Sequence, residues 1–343
     1  MIVLTVALAI VRRRSPLDIW NVLDAQWYTG IAAHGYAWSL DGKPALAFFP
    51  LYPALIHLGM GLGIPAVAAG LVISNLCTLA ALWYLRALVR LQWGPSVARR
   101  AVWLMAVFPT AFFTFAPYSE ALFLLAAAAV LYHCQRGQVA PAGLWLAVAV
   151  LTRSTGLILI APLLMSVLWR RPRTLAPAFG PALCAAGAYA GYILWERLPL
   201  WRVVSSEERW HRSLTYPWTG FSTSVQYLAH HAMSNAGWTA ENLLQLATTI
   251  VFLGLTYAAW RYLPPPAVVY CVGFWLIVLC TPEWRDGYFA PFSSVDRFVL
   301  ALFPIVGWAA VRLAHRPFMI WIIVSSALMT GAAAVHLSGG WVG

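Results

Sequence analysis

The stretch 66-AVAAGLVISNLCTLAALWYLRALVRL-91 decides the fold class. A helix needs about 20 apolar residues to cross a bilayer, and this run supplies them. Its arginines, Arg86 and Arg90, gather at the C-terminal end, with Arg99 and Arg100 close behind. By the positive-inside rule that end faces the cytoplasm, so the helix runs inward from the opposite side. The whole chain repeats this pattern. Of its 343 residues, 62% are hydrophobic and only 10% charged, which places it with integral membrane proteins and leaves no room for a separate soluble domain. The net charge of +11 comes from arginines alternating with apolar runs, Lys43 being the single lysine. That distribution fits cytoplasmic loops beside anionic lipid and argues against a nucleic-acid partner. The five cysteines lie in apolar runs without metal-ligand spacing and read as small core residues.

Upstream, residues 44–62 hold Pro44, Pro50, Pro53, Gly59 and Gly61, which favours a juxtamembrane or re-entrant element on the outer side over a full span. Before it lies 21-NVLDAQWYTGIAAHGYAWSLDGKPALAFFPLYP-53, which puts Asp24 among aromatics at a membrane boundary. An ionisable residue there is expensive, and by default it is a functional candidate. Residues 12–65 thus form a first external loop with juxtamembrane helices. Residues 1–11 are apolar but too short to span. They read as the second half of a helix that begins upstream or as a short interfacial helix, and the arginines after them argue against a cleaved signal peptide.

Downstream, apolar runs are expected to cross at about 101–117, 121–133, 176–195, 242–261, 267–282, 297–312 and 318–336. Two shorter pieces, 139–151 and 156–169, are separated by Thr152-Arg153-Ser154-Thr155, and arginines flank both outer ends. Each is only ~20 Å long as a helix, so they predict a broken helical hairpin with Arg153 near a tip inside the membrane level. The fold class is an all-α polytopic membrane protein, a single transmembrane domain over 1–343 with about eleven spans. Its longest polar segment, 196–240, is a second external loop.

On this topology all eleven carboxylates fall on the outer face. A plain solvated face would do the same, but transfer of a sugar from a lipid phosphate would use such an arrangement. It needs a carboxylate to take the acceptor's proton, cations for the departing phosphate, and aromatics against sugar faces. Asp24 and Glu120 are the candidate bases. Arg153, Arg285 and Arg297 are candidates for the phosphate; Trp27, Tyr28, Tyr36, Trp38 and Tyr118 for the sugar, with His34 among the acceptor-side residues. Blander roles stay open: Asp24 as a helix cap, Glu120 as an anion at a helix start, Arg153 on helix carbonyls, Arg297 as an interfacial anchor. The histidines lack metal-binding spacing, so no metal or cofactor is expected. A transporter or flippase of a lipid-linked substrate is the alternative class, for which a second interrupted helix is missing; an inactive scaffold is a third.

The strings LDAQWYTGIAAHGY (23–36), AFFPLYP (47–53), FPTAFFTFAPYSEALF (108–123), LAVAVLTRSTGLIL (146–159) and SSVDRFVLALFP (293–304) together resemble the PIG-V family, mannosyltransferases of GPI-anchor assembly and their bacterial relatives, within the GT-C superfamily. The resemblance implies a GT-C-like bundle and an inverting transfer of mannose from polyprenyl-phosphate-mannose to a glycolipid or glycan acceptor. It puts the reaction on the outer face of a bacterial plasma membrane, or on the lumenal side of the endoplasmic reticulum in a eukaryote. It implies Asp24 as catalytic base and Glu120 as a second acidic residue. The family's aromatic before the aspartate is Leu23 here.

Overall fold

The computed structural model describes residues 2–40, 43–170, 174–205, 212–231, 236–285, 288–289, 291–313, 316–340 and 342. Four of the eleven carboxylates, Asp41, Glu207, Glu208 and Asp286, lie outside them, as does the side chain of Arg285. The described chain is helical apart from two two-stranded hairpins, 39–44 and 284–289.

In order, the helices are α1 (Ile2–Arg12), α2 (Asp24–His34), α3 (Leu51–Gly61), α4 (Ala66–Ala106), α5 (Glu120–Arg136), α6 (Val139–Thr152), α7 (Ile160–Arg170) and α8 (Leu175–Trp195). They continue with α9 (Trp201–Val204), α10 (Thr219–His231), α11 (Ala236–Ala259), α12 (Pro265–Cys280), α13 (Val295–Phe298), α14 (Pro304–Arg312) and α15 (Arg316–Leu337). Among the described residues, four helical stretches are long and apolar enough to cross a membrane: Ala66–Ala106, Leu175–Trp195, Thr239–Tyr262 and Arg316–Leu337. Shorter apolar helices, Val139–Thr152, Ser154–Trp169 and Pro265–Cys280, complete the bundle.

Sequence accounts for the breaks. α4 breaks at Gly94, whose φ of +82° suits a residue without a Cβ, and Pro95 then starts the second limb without needing an N–H partner. That limb ends at Ala106, earlier than expected, and Pro109 is followed by a short 3-10 turn at Ala111–Thr114. The predicted hairpin is present. α6 stops at Thr152, Arg153 is extended, and a 3-10 turn at Ser154–Leu159 leads into α7.

α5 is the axis. Every residue from Glu120 to Leu131 is buried, and the run Ala126–Ala129 lets α4 and α6 pack closely on it. Contact between α6 and α8 depends on Gly143, where an added Cβ would lie 2.4 Å from the carbonyl oxygens of Pro177 and Ala178. The outward faces of the long helices carry exposed Leu79, Trp83, Leu183, Ile320 and Ile323, as a lipid-facing surface requires. The chain is an integral membrane protein.

Candidate active site

The first loop folds into a small aromatic layer formed by α2, α3 and the strands between them. Trp27 stacks on Phe48 at 5.2 Å and meets Trp38 edge-on at 5.6 Å. Tyr36 donates to the Phe48 carbonyl oxygen at 2.5 Å. Trp38 covers Gly30, where any Cβ would collide with its ring. This layer presents two rings to the inside of the bundle, Tyr28 and Phe48, which line a cavity of about 580 Å³. Trp27, Tyr36 and Tyr118 are buried in packing outside that lining, and His34 is exposed beside Trp38. Of the proposed sugar and acceptor residues, Tyr28 lines the cavity, and Trp27, His34, Tyr36, Trp38 and Tyr118 do not.

The cavity also brings together Asp24, Glu120, Arg153, Arg212, Glu283 and Arg297. Each charged group of the central cluster sits where its helix favours it. Asp24 and Glu120 occupy the first turns of α2 and α5, at the positive ends of those helices, and Arg153 follows the carboxyl end of α6. The N-cap of α2 is Leu23, and no side chain bonds the cap, so Asp24 is not spent on capping. Arg297 arrives from α13, a single turn that begins after Ser294.

These four groups form one network. Arg297 Nη1 donates to Asp24 Oδ2 at 2.7 Å, and its Nε lies 3.3 Å from Glu120 Oε1. Arg153 Nη1 donates to the same Glu120 oxygen at 2.6 Å and to Ser119 Oγ at 3.3 Å. Tyr28 shares a 2.6 Å hydrogen bond with Ser119, which ties the aromatic layer to the arginine. Burial raises the Tyr28 pKa above the ordinary phenol range, so its hydroxyl stays neutral. The guanidinium of Arg297 also lies against Phe113, Tyr118 and Phe298, at 5.3, 5.9 and 5.2 Å.

The two carboxylates are not equivalent. The Glu120 side chain is 9% exposed and touches two guanidinium groups, whereas that of Asp24 is 19% exposed and engages Arg297 through Oδ2. Among the described residues no hydrogen bond reaches Asp24 Oδ1. Asp24 therefore has an oxygen for an incoming hydroxyl, while Glu120 serves the arginines.

Sequence reasoning overlooked the second ion pair. Arg212 Nη2 lies 3.4 Å from Glu283 Oε2 and 3.5 Å from the Ser293 carbonyl oxygen, and the guanidinium sits 5.4 Å from the Phe298 ring. Arg212 belongs to the longest polar segment, where an arginine reads as solvated surface. The signal that could have found it is Glu283, a carboxylate directly after an apolar span. The cavity lining also includes apolar Leu157, Ile158, Phe274, Ile277 and Val278.

The site thus lies in a lipid-facing helical bundle whose broken hairpin reaches a charged cavity. Among solved structures, the chain resembles ArnT from Cupriavidus metallidurans bound to undecaprenyl phosphate, with a TM-score of 0.58 and 14% identity over 98% of this chain and 64% of that one. The apo state of the same protein gives 0.59 and 16%, covering 98% and 63%. The chain thus spans less than two thirds of ArnT's length. In sequence, residues 10–174 match the family described as mannosyltransferase (PIG-V), the family whose strings it resembles. The matched part contains Asp24, Glu120 and Arg153, and Arg212, Glu283 and Arg297 lie beyond it. No curated protein matches the sequence.

Proposed function

We propose that the protein is an inverting glycosyltransferase that moves mannose from polyprenyl-phosphate-mannose to a hydroxyl of a glycolipid or glycan, with Asp24 as general base. The observation that carries this reading is the cavity itself. Among the described residues it has a carboxylate with an available oxygen, three arginines, and apolar side chains suited to a lipid chain. In this reaction the acceptor hydroxyl gives its proton to Asp24, its oxygen attacks the anomeric carbon, and the carbon–phosphate oxygen bond breaks on the opposite side. The phosphate leaves as an anion, so the chemistry invokes no acid, metal or cofactor.

Charge balance supports a choice of phosphate ligand. Among the described residues the cavity's three carboxylates offset its three arginines, so an added phosphate would draw on an arginine that is weakly committed. Arg153 and Arg297 hold carboxylates at 2.6 and 2.7 Å; Arg212 holds Glu283 only at 3.4 Å. Arg212 is therefore the first choice for the phosphate, with Arg153 behind it, and Arg297 acts chiefly on Asp24. The arginines around the α4 break support, by the positive-inside rule, a cavity on the non-cytoplasmic face, which in a bacterium is the outer face of the plasma membrane.

The test is transfer of radiolabelled mannose from polyprenyl-phosphate-mannose to membrane lipid extract. Wild type should label a product, and Asp24→Asn should lower turnover by about 10³-fold or more while donor binding persists. Wild-type turnover in Asp24→Asn would remove it as the base, and an unlabelled extract with active protein would remove the donor.

A further inference from the structure

Asp24 sits on a turn that its own sequence disfavours. Leu23 has φ +51° and ψ −123°, a conformation that costs a residue with a side chain about 1–3 kcal/mol and persists only where the surroundings enforce it. The enforcing group is the hydroxyl of Tyr118, a fully buried side chain. It accepts the Asp24 N–H at 3.2 Å and donates to the Val22 carbonyl oxygen at 3.3 Å, so it grips the turn on both sides of Leu23.

A third group reaches the same hydroxyl. His336 Nε2, from the last turn of α15, lies 3.4 Å away. A phenol has one proton and two lone pairs. With the proton directed at Val22 and one lone pair taken by Asp24 N–H, the remaining lone pair calls for a donor, which puts the histidine proton on Nε2. Nδ1 agrees with this tautomer: it is buried and has no partner among the described residues, and an N–H there would be an orphaned donor. The ring is held against Phe112, Phe113 and Tyr118, at centroid distances of 5.3, 5.2 and 5.6 Å. A leucine would suit that packing as well, so the histidine's polarity is directed at the hydroxyl.

We infer that Tyr118 and His336 are positioning residues for Asp24: the last helix orients a hydroxyl that holds the Leu23 turn, and the turn aims the carboxylate into the cavity. This inference rests on Asp24 being the base. Neither residue lines the cavity, so their loss should act on turnover and leave donor recognition intact.

The experiment measures transfer kinetics, together with hydrogen exchange over residues 20–30, in purified Tyr118→Phe, His336→Phe, His336→Leu, His336→Gln and the double variant Tyr118→Phe/His336→Phe. Misplacing a catalytic group by a fraction of an ångström should lower kcat by about 10- to 100-fold in Tyr118→Phe and several-fold in His336→Phe or His336→Leu, with donor KM within about twofold. His336→Gln, whose amide N–H can donate to the hydroxyl, should recover most of the loss. The double variant should be no worse than Tyr118→Phe alone, since His336 acts through that hydroxyl. Exchange of the Asp24 segment should quicken in each impaired variant. Wild-type kcat in both His336→Phe and His336→Leu, no advantage of His336→Gln, or additive losses in the double variant would overturn the inference. Should either apolar variant fail to fold, the other carries the comparison, and Tyr118→Phe tests the hydroxyl in any case. Asp24→Asn separates the two ideas: an active Asp24→Asn defeats the base assignment and this inference with it, while an inactive one beside a fully active His336→Phe defeats only the positioning.

Discussion

Replacing Arg297 with glutamine removes the one cation shared by Asp24 and Glu120, and the expected loss can be worked from the geometry. The side chain is 8% exposed and contacts the two carboxylates at 2.7 and 3.3 Å. Charge centres about 4 Å apart attract by roughly 4 kcal/mol at an effective dielectric of about 20. Desolvation offsets much of this in the intact pair. Once the arginine is gone, however, the carboxylates keep their burial without compensation, and removal of one partner of a buried pair typically costs about 3–5 kcal/mol. Glu120 retains Arg153, so Asp24 should suffer most. The assay is thermal unfolding in detergent alongside mannose transfer. Arg297→Gln should lower Tm by about 5 °C or more and transfer by about 10²-fold or more. Arg297→Lys should fall between, since a compact ammonium cannot replace a fork that reaches two carboxylates. Asp24→Asn added to Arg297→Gln should restore about 1–2 kcal/mol of stability by removing the stranded charge, without restoring transfer. A single Arg297→Gln variant that melts within about 1 °C of wild type, or a double variant less stable than it, would refute the network argument.

Three further outcomes are expected. Arg212→Ala should raise donor KM by about 10-fold, because its 3.4 Å pair leaves it the most weakly held of these arginines; an unchanged donor KM would return the phosphate to Arg153. Gly143→Ala should destabilise the bundle by about 3 kcal/mol or more, since its methyl group would meet backbone and not a side chain that can move, and unaltered thermal stability would contradict the α6–α8 packing. Transfer should survive a divalent-metal chelator, and loss that is restored by added divalent cation would overturn the metal-free mechanism.

Asp24, Glu120, Arg153 and Arg297 were all legible in the sequence because a charge beside an apolar run has few inexpensive explanations. The broken hairpin was legible for a related reason: two short apolar pieces with arginines at both outer ends have few ways to fit a bilayer. Their pairing was not legible, since it joins residues separated by 33 and 273 positions. The aromatics were harder. Trp27 and Tyr36 were read as sugar contacts, yet residue type and spacing do not say whether a ring on a short helix faces a cavity or its own layer. Here α2 is apolar on more than one side, and α3 together with the 39–44 hairpin covers those rings. Arg212 was missed because a polar loop gives no sign of which of its cations turns into a cavity.

The long separation between Asp24 and Arg297 also has a consequence for biosynthesis. Chains are made at about 5–20 residues per second, so the 273 residues between the two partners correspond to roughly 14–55 s of synthesis. Throughout that interval Asp24 has entered the membrane region without its guanidinium. Glu120 waits far less, since Arg153 follows only 33 residues later. The nascent chain therefore carries one carboxylate whose arginine follows almost at once and another whose arginine is made 273 residues later. Assembly of the cavity accordingly waits for α13.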